Sequence, residues 1–354
     1  MEKLEIVPFS EIIEQDWSSF HEACSDPVLF YQYPFLSAYE KSTEKKVTVV
    51  VYKKDNKILM ALPGIFDKRK NKFFNLSYLG WDNLNFLMDR EVTEHTLQIF
   101  FTELFKTFQL IVYKNISQSC YQIITKYTAG PVAFKKFKCP YVHLPQLYND
   151  YLESLSVSFK RMLKNRTNFC EKHGVSFVFL SNSHKDLLPA ALIDLNRLHK
   201  LRMTEMSMES KFLKPDSQAF HEIIQGHSSN PTLIIQALRD EAVIGTLYGF
   251  ISANRFVYFA AGIDPRYSKY SLGVVLIGKM MDYLIVHNFR YFDFLRGTED
   301  YKFKWTKEID QNYTVYSFNN ALGKFKAMTL YWKQNKFRIG RKKTLNDLRR
   351  FLYI

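Results

Sequence analysis

One order of strands and helices occurs twice in the sequence, and this repeat limits the possible folds more than any other feature. VVVYKKDNKILMALPGIF at 49–66 aligns with IIQALRDEAVIGTLYGFI at 234–251, at an offset of 185 residues and with a shared glycine at Gly64 and Gly249. Each segment has two apolar runs around an acidic turn, which predicts a β-hairpin. A unit that returns at a fixed spacing indicates two copies of one domain.

The segments that follow each hairpin continue the repeat. Three further pairs align at an offset of 182 residues: 75–82 with 257–264, 95–109 with 277–291, and 110–115 with 292–297. Both halves therefore read as hairpin, strand, helix and strand. Because Pro140, Pro145 and a polar YND interrupt the pattern, we predict two tandem α/β (α+β) domains at 1–145 and 146–322, each a mixed twisted sheet flanked by helices.

The remaining segment, 323–354, is strongly basic. The chain of 354 residues has a net charge of +14, and from Lys324 onward ten Lys or Arg stand against Asp347 alone. Interleaved aromatic and aliphatic residues predict a basic amphipathic helical tail. Three interpretations stay open: a solvated helix, contact with an anionic membrane surface, and contact with nucleic acid such as tRNA.

Composition and cysteine spacing exclude several classes of protein. With 47% hydrophobic and 16% aromatic residues the chain is globular. Its four cysteines form no Cys-x-x-Cys pair, and no His-x-x-x-His motif occurs, so we expect no metal cofactor. No segment approaches the roughly 18 apolar residues of a membrane span, and no signal peptide is apparent. We expect a cytoplasmic protein, with peripheral contact at the inner membrane face left open.

The second copy contains a glycine turn that is suited to phosphate. An apolar strand at 256–261 ends at Gly262, and a helix follows from the predicted N-cap Ser271, with Gly273 in its first turn. First-turn amides lack partners within the helix, the helix dipole is positive there, and glycine lets a pyrophosphate approach the backbone. The alternative is an ordinary strand-turn-helix unit without a ligand.

The first copy differs in chemistry at the same place. NLNFLMDREVTE lacks glycine and brings in Asp89, Glu91 and Glu94, whose carboxylates repel a phosphate. We therefore expect the first domain to be degenerate, without a cofactor site, and to form one wall of an interdomain cleft.

The second copy also carries the motifs of a known family. YFDFLRGTEDYKFKW at 291–305, with the preceding YSLG, resembles the GNAT acyltransferase superfamily, and within it the cellulose-biosynthesis acetyltransferases (CelD/BcsL type). The segments 139–145, 159–174 and 195–203 are similar to the same family. The superfamily motif has Arg or Gln, two residues, Gly, one residue, and Gly or Ala, whereas this chain has Tyr270, Gly273 and Val275 at those positions.

The resemblance implies two tandem GNAT-like domains, a role in polysaccharide or cell-envelope biosynthesis, and acetyl-CoA or a longer acyl-CoA as co-substrate. A backbone amide of the strand before the turn would bind the thioester carbonyl oxygen. The residues that we expect to bind the cofactor are Phe259, Ala260, Ala261, Gly262, Lys269, Tyr270, Ser271, Leu272 and Gly273.

Candidate catalytic residues follow from side-chain chemistry and from the resemblance. His199 is nominated as the general base, because the ordinary pKa of histidine lies near the operating pH. Arg202, three residues later on the same helical face, is expected to bind the acceptor together with Arg296 and Trp305. A packed surface histidine is the alternative for His199.

The motif at 291–305 adds three catalytic candidates. Asp293 would be desolvated on its strand and would need a partner, for which Arg296, Arg202 or Lys302 is expected. Tyr301, beside the cationic Lys302, is suited to give a proton to the departing thiolate. An ion pair that only stabilises the fold is the alternative for this cluster.

Together these features predict an N- or O-acyltransferase that moves an acyl group directly from the thioester to an amine or hydroxyl of a saccharide, amino acid or lipid precursor. No nucleophile elbow of the Gly-x-Ser-x-Gly kind is present, which favours direct transfer over a covalent acyl-enzyme. Two other functions stay open. One is a FemABX-type aminoacyl transferase that uses charged tRNA, and the other is a non-catalytic binding protein with the GNAT fold.

Overall fold

A computed structural model describes residues 2–128 and 132–335. The chain divides into two compact units, of which unit 1 comprises Met1–Leu36, Lys45–Phe137 and Gln311–Ile354, and unit 2 comprises Ser37–Glu44 and Lys138–Asp310. The domains predicted at 1–145 and 146–322 are continuous segments, whereas both units combine separate segments. The difference arises because a strand that begins at Ile309 contributes most of its length to the first unit.

The strands are β1 (Glu2–Pro8), β2 (Thr48–Lys54), β3 (Lys57–Asp67), β4 (Lys72–Asn75), β5 (Leu87–Met88), β6 (Leu110–Ile116), β7 (Val132–His143), β8 (Ser176–Ser181), β9 (Thr232–Arg239), β10 (Ala242–Ser252), β11 (Arg255–Ile263), β12 (Tyr291–Asp293) and β13 (Ile309–Phe318). The helices are α1 (Glu14–Ala23), α2 (Tyr33–Thr43), α3 (Glu94–Thr107), α4 (Gln118–Tyr127), α5 (Tyr148–Ser154), α6 (Val157–Lys172), α7 (Leu188–Glu205), α8 (Pro215–Gln225), α9 (Leu272–Val286) and α10 (Ala321–Asn335).

Each unit has a mixed sheet with the same internal order. In unit 1 the strands follow β1-β2-β3-β4-β6-β13, and in unit 2 they follow β8-β9-β10-β11-β12-β7. In both units an antiparallel hairpin, β2–β3 or β9–β10, leads to a third strand, and that strand pairs in parallel with the strand after the helix, as β4–β6 or β11–β12. The predicted hairpins, the repeat and the mixed α/β fold class are confirmed.

The glycine shared by the two hairpins meets the same steric demand in both units. A Cβ atom on Gly64 would lie closer than 3.0 Å to the Phe74 carbonyl oxygen and the Phe73 ring. A Cβ atom on Gly249 would collide in the same way with the Val257 carbonyl oxygen and the Phe256 ring. An aromatic ring on the neighbouring strand thus fills the place of the missing side chain, and the repeat extends to this packing detail.

We expect Gly249→Ala and Gly64→Ala to destabilise their own units by about 3 kcal/mol, because the added methyl group meets a backbone carbonyl that cannot move aside cheaply. Gly226→Ala is the matched control, since its Cβ atom would meet nothing closer than 3.6 Å. Urea denaturation of the three variants measures the effect. A Gly249→Ala protein as stable as the Gly226→Ala protein would contradict this account of the repeat.

The core of unit 2 fixes the place of α9. This helix buries side chains almost all round, among them Val275, Met280, Met281 and Leu284, against Phe292 and residues of α5, α6 and the sheet. Burial of each such side chain contributes about 1.5–3 kcal/mol. As a result the N-terminus of α9 is held rigidly at the end of β11.

Two expectations from the sequence concern the C-terminal tail and the membrane. The basic helix predicted at 323–354 coincides with α10 as far as Asn335, and the rest of it lies outside the described residues. Over residues 2–128 and 132–335, no helix combines the length and the apolar character that crossing a membrane requires.

Candidate active site

β11 and β12 pair over only a short distance, which leaves one edge of β11 open. Their parallel register runs from Arg255 to Val257, because β12 ends at Asp293. β11 continues to Ile263 beside β10, and within that register Phe259 has no partner because a β-bulge lies there. An edge of this kind can pair with an extended substrate.

The N-terminus of α9 lies directly beyond this open strand. Ser271 holds the N-cap position as predicted, but it is left-handed (φ 54°) and its side chain makes no capping hydrogen bond. The first turn contains no acidic residue, and a Cβ atom on Gly273 would approach only the tip of Ile263, at 3.2 Å. The first-turn amides at Leu272 and Gly273 can therefore bind an anion.

The corresponding helix of unit 1, α3, is closed to an anion. The hydroxyl of its N-cap residue Thr93 accepts a hydrogen bond from Thr96 N–H at 3.2 Å, and Glu94 occupies the first turn. The buried Asp89 and the exposed Glu91 both pair with Lys57, at 3.2 and 2.9 Å. Carboxylates and a capped terminus of this kind disfavour a phosphate, and the absence of a cofactor site in the first copy stays a prediction.

A cavity of about 340 Å³ joins the open strand to the helix terminus within unit 2. Phe159 and Met162 of α6, Ile277 of α9 and Ile263 form apolar walls. The predicted site residues that line the same cavity are Arg202, Ser271, Leu272, Gly273, Tyr301 and Trp305. Residues that are distant in the sequence thus converge on one apolar pocket with a few polar groups, the usual form of a ligand site.

Two phenols, Tyr258 and Tyr301, form the polar part of the cavity together with Arg202. Burial is the main cause of the raised pKa of both phenols, and each phenol and Arg202 also act on these pKa values. Tyr301 therefore keeps its proton at neutral pH. The cation that acts on its pKa is Arg202 rather than the expected Lys302. Tyr258 was not among the predicted site residues, although its place in an apolar strand next to the glycine turn is a usable signal.

His199 is held by hydrogen bonds on both ring nitrogens. Its Nδ1 lies 2.8 Å from the Ala261 carbonyl oxygen, which can only accept, so Nδ1 carries the hydrogen and Nε2 faces the Ser210 hydroxyl at 2.8 Å. Burial, assisted by the charge of Arg202, lowers the pKa of His199 below its ordinary value. The ring is therefore neutral at pH 7 and able to accept a proton.

α7 approaches β11 closely where His199 reaches the strand. A Cβ atom on Gly262 would lie 2.6 Å from the His199 backbone nitrogen and 2.7 Å from Leu198 Cβ. Only glycine fits between strand and helix at this point, so Gly262 brings α7 and its histidine to the open strand.

Asp293 is buried at 2% exposure, and one of its partners is a residue that was not predicted. Its carboxylate forms an ion pair with Arg255 at 3.0 Å and accepts a hydrogen bond from Leu295 N–H at 2.8 Å. Arg255 had not been foreseen, since the candidates were Arg296, Arg202 and Lys302. The register explains this pair, because Arg255 lies opposite Tyr291 on the neighbouring strand, two residues from Asp293.

Lys302 is also buried, and it stabilises the turn before it. Its Nζ donates to the Arg296 carbonyl oxygen at 3.0 Å and pairs with Glu299 at 3.0 Å. Among the described residues, those that line the cavity do not include Asp293, Arg296 or Lys302. These three residues shape the segment that carries Tyr301.

Several other predicted residues lie in the core. Tyr270 is completely buried and Phe169 packs on it at 5.4 Å, so its side chain does not reach the cavity. The Phe259 ring packs against His221 at 5.0 Å, which leaves only its backbone near the open edge. Trp305, which was expected to bind the acceptor, is 3% exposed with its ring edge-on to Phe159, and this burial favours a packing role in the cavity wall.

The three remaining cofactor candidates are Ala260, Ala261 and Lys269. Ala260 and Ala261 are buried members of β11, and the Lys269 carbonyl oxygen accepts a hydrogen bond from Arg166 at 3.1 Å. The Arg166 guanidinium thus lies at the backbone two residues before Ser271, the N-cap of α9, and the Lys269 ammonium lies over the Tyr270 ring at 5.4 Å. Within the described ranges, no group of three or more His, Cys, Asp or Glu side chains could hold a metal ion.

Residues 157–303 match a family model described as an acetyltransferase (GNAT) domain. No curated protein matches the sequence. Solved structures with similar folds include the following three. FemX is 10% identical with a TM-score of 0.62, over 89% of this chain and 98% of that one. A conserved protein of unknown function from Bacteroides thetaiotaomicron is 9% identical with a TM-score of 0.60, over 90% and 100%. L-PGS from Bacillus licheniformis is 11% identical with a TM-score of 0.55, over 87% and 93%.

At such low identities these likenesses show the fold alone, and they agree with the GNAT-like fold class. The domain match adds chemistry, since it supports a transferase of the GNAT type. The narrower resemblance to cellulose-biosynthesis acetyltransferases stays a prediction.

Proposed function

From the GNAT acetyltransferase domain at residues 157–303, we propose that the chain is an acyl-CoA-dependent N- or O-acyltransferase. One observation carries the proposal: the open edge of β11, the uncapped N-terminus of α9 and two protonated phenols meet at one cavity in unit 2. Thioester aminolysis or alcoholysis needs a binding edge, an anion site and a proton donor, and this cavity offers all three.

The pyrophosphate and the acyl-pantetheine arm of acyl-CoA would bind at different parts of the site. The pyrophosphate would take the first-turn amides at Leu272 and Gly273, with Lys269 and Arg166 adding positive charge. The extended pantetheine arm would pair with the open edge of β11, and an apolar acyl chain would face Phe159 and Ile277. The cavity holds only part of such a donor, so the nucleotide would stay at the mouth.

The chemistry would follow from groups that already have the right protonation state. Neutral His199 accepts the proton of the acceptor, and a backbone amide between Phe259 and Gly262 stabilises the developing oxyanion. Tyr301 gives its proton to the departing thiolate, and Tyr258 and Arg202 keep that phenol in place. No covalent acyl-enzyme is required.

The site is compatible with several chemical classes of acceptor. Arg202, which lines the cavity, favours an anionic or polyhydroxyl acceptor, such as a saccharide, an amino acid or a lipid precursor. Contact of the basic tail with an anionic membrane surface belongs to the lipid option, although residues 336–354 lie outside the described part of the chain.

Binding and turnover test the proposal separately. Calorimetry with acetyl-CoA, a long-chain acyl-CoA and an aminoacyl-tRNA identifies the donor, and release of the free CoA thiol across a panel of amines and alcohols identifies the acceptor. We expect acyl-CoA to bind and thiol release to depend on an acceptor. Binding of none of the three donors would favour a non-catalytic protein with this fold.

A second candidate is an aminoacyl transferase of the FemABX type that uses charged tRNA. The observation that favours it is the structural likeness to FemX over 89% of this chain. Tight binding of aminoacyl-tRNA without binding of acyl-CoA would select this function.

We expect Tyr301→Phe to lower kcat about 100-fold, since removal of a proton donor costs about 10²–10⁴ in rate. The KM for acyl-CoA should stay within a few-fold because the ring remains in the cavity wall. Tyr283→Phe is the matched control, because Tyr283 lies on α9, away from the Tyr301 segment, and its ring stacks on Phe179 with 4.2 Å between the ring centroids. Steady-state thiol release measures both variants, and equal kcat values for the two would exclude Tyr301 as the donor.

A further inference from the structure

The imidazole of His199 has no nitrogen left for a substrate. Nδ1–H donates to the Ala261 carbonyl oxygen, and Nε2 accepts from the Ser210 hydroxyl, both at 2.8 Å. A proton from an acceptor can therefore reach His199 in this arrangement only through the oxygen of Ser210.

Ser210 is itself positioned by its neighbour. It lies in the connection between α7 and α8, is half-buried, and its Oγ accepts a hydrogen bond from Phe212 N–H at 3.2 Å. The buried Phe212 ring packs edge-on to the His199 ring at 5.3 Å. A serine hydroxyl has one hydrogen and two lone pairs. The Ser210 hydroxyl donates its hydrogen to His199 Nε2, and one of its lone pairs accepts from Phe212 N–H. Within residues 2–128 and 132–335, no group donates to the second lone pair of Ser210.

The hydrogen-bonded side chains of His199 and Ser210 lie at the edge of β11 that β12 leaves open. Asp264 N–H donates to the Ile244 carbonyl oxygen of β10 at 3.0 Å. Backbone groups of successive residues in a strand point to opposite edges, so the carbonyl of Ala261 points away from β10. His199 and Ser210 are not among the described residues that line the cavity, but Ala261, whose carbonyl His199 binds, lies in β11 between Tyr258 and Ile263, which do line it. The two side chains therefore stand on the side of β11 where the thioester would pair.

We propose that Ser210 is the catalytic group that takes the acceptor's proton and passes its own proton to His199. This inference rests on the proposed acyl transfer. In the step, the acceptor N or O bonds to the thioester carbonyl carbon, its proton moves to Ser210 Oγ, and the Ser210 proton moves to His199 Nε2. The C–S bond then breaks, and the thiolate receives the proton of Tyr301. Ser210 ends as a hydroxyl, His199 as an imidazolium and Tyr301 as a phenolate, so atoms and charge balance. Proton return from the imidazolium to Tyr301 through solvent completes the cycle.

The experiment compares Ser210→Ala, Ser210→Thr and Ser229→Ala in the full chain. Ser229 is the matched control, because its hydroxyl also bonds to a histidine ring, His227 Nδ1 at 3.0 Å, but on an exposed loop. Ser210→Ala should lower kcat about 100-fold with the KM for acyl-CoA within about three-fold, the size expected for a lost proton-transfer group. Ser210→Thr retains a hydroxyl and should recover most of the rate, and Ser229→Ala should match the parent protein.

The pH profile separates a relay from a structural serine. In the parent protein kcat/KM should fall as pH drops through the lowered pKa of His199, below the ordinary 6.5, because the imidazole then carries the proton it must accept. Arg202 is the charged group that contributes to this pKa. In Ser210→Ala the residual kcat/KM should no longer fall as pH drops through this pKa. If Ser210 has only a structural role, its loss should lower kcat/KM but leave the fall at low pH in place.

Each adverse outcome has a distinct meaning. An unchanged kcat in Ser210→Ala, beside normal thioester turnover by the parent protein, overturns the relay and leaves the proposed function intact. An acyl group found on Ser210 by mass spectrometry during turnover also overturns it, in favour of a covalent intermediate. If the parent protein releases no thiol with any acceptor, the proposed function fails and the relay fails with it.

Discussion

Gly273→Asp is expected to reduce the affinity for acyl-CoA by at least about 100-fold. The new carboxylate would stand at the first turn of α9, where the pyrophosphate would take the free amides, and like charges at that distance repel strongly. Folding should survive, because the added Cβ atom meets only the flexible tip of Ile263 at 3.2 Å. An acidic residue in the first turn also suits the helix dipole. Calorimetry with acetyl-CoA measures the affinity, and thermal unfolding confirms the fold.

Two variants control for size and for charge. Gly273→Ala should cost only a few-fold in affinity, since it adds the methyl group without the charge. Glu91→Lys makes the opposite charge change in unit 1, where the side chain is 69% exposed and the helix terminus is capped by Thr93. It should leave acyl-CoA affinity within a few-fold. Asp89→Lys is a poorer control, because it would place a second cation beside Lys57 at a buried position. Unchanged affinity in Gly273→Asp, with binding lost in Glu91→Lys, would reverse the assignment of the donor site.

The features that the sequence predicted well are those encoded over short distances. Hairpins, the helix after Ser271 and the offset between the two halves follow from apolar periodicity and from the position of a few glycines. Gly64 and Gly249 show why this worked, because each is required by a ring on the adjacent strand of its own sheet. Gly273 could be located in the same way, as part of a turn and helix start.

The features that the sequence missed depend on contacts between distant segments. Arg255 and Asp293 are separated by 38 positions and meet because β11 and β12 pair in parallel, a register that no local pattern specifies. Ser210 lies in the irregular connection between α7 and α8, whose path brings its hydroxyl to His199. Tyr258 belongs to the site because the segment that carries Tyr301 lies against it. Tyr270 and Trp305 were predicted as ligand contacts, but the Tyr270 side chain is buried away from the cavity and Trp305 is a buried part of its wall.

Asp293→Ala should lower the free energy of unfolding by about 3–5 kcal/mol, the usual cost of removing one partner from a buried ion pair. The mutation would leave the Arg255 guanidinium, which also packs over the Tyr291 ring at 4.6 Å, without its carboxylate. It would also remove the acceptor for Leu295 N–H, where the chain turns with a left-handed residue (φ 55°) toward Tyr301. Arg255→Met should cost less, because the arginine side chain is 31% exposed and partly solvated. Chemical denaturation with both variants measures the difference.

Asp293→Asn separates the two interpretations of this carboxylate, because an amide oxygen can still accept from Leu295 while the charge is lost. If the aspartate only supports the fold, turnover in Asp293→Asn should fall in proportion to the loss of stability and recover at lower temperature. If its charge acts in catalysis, kcat should fall at least about 100-fold in a protein that stays folded. The burial of Asp293 outside the cavity wall and its bond to Arg255 favour the first result. An Asp293→Asn protein that is stable yet inactive would show instead that the ion pair sets the electrostatics of the Tyr301 segment directly.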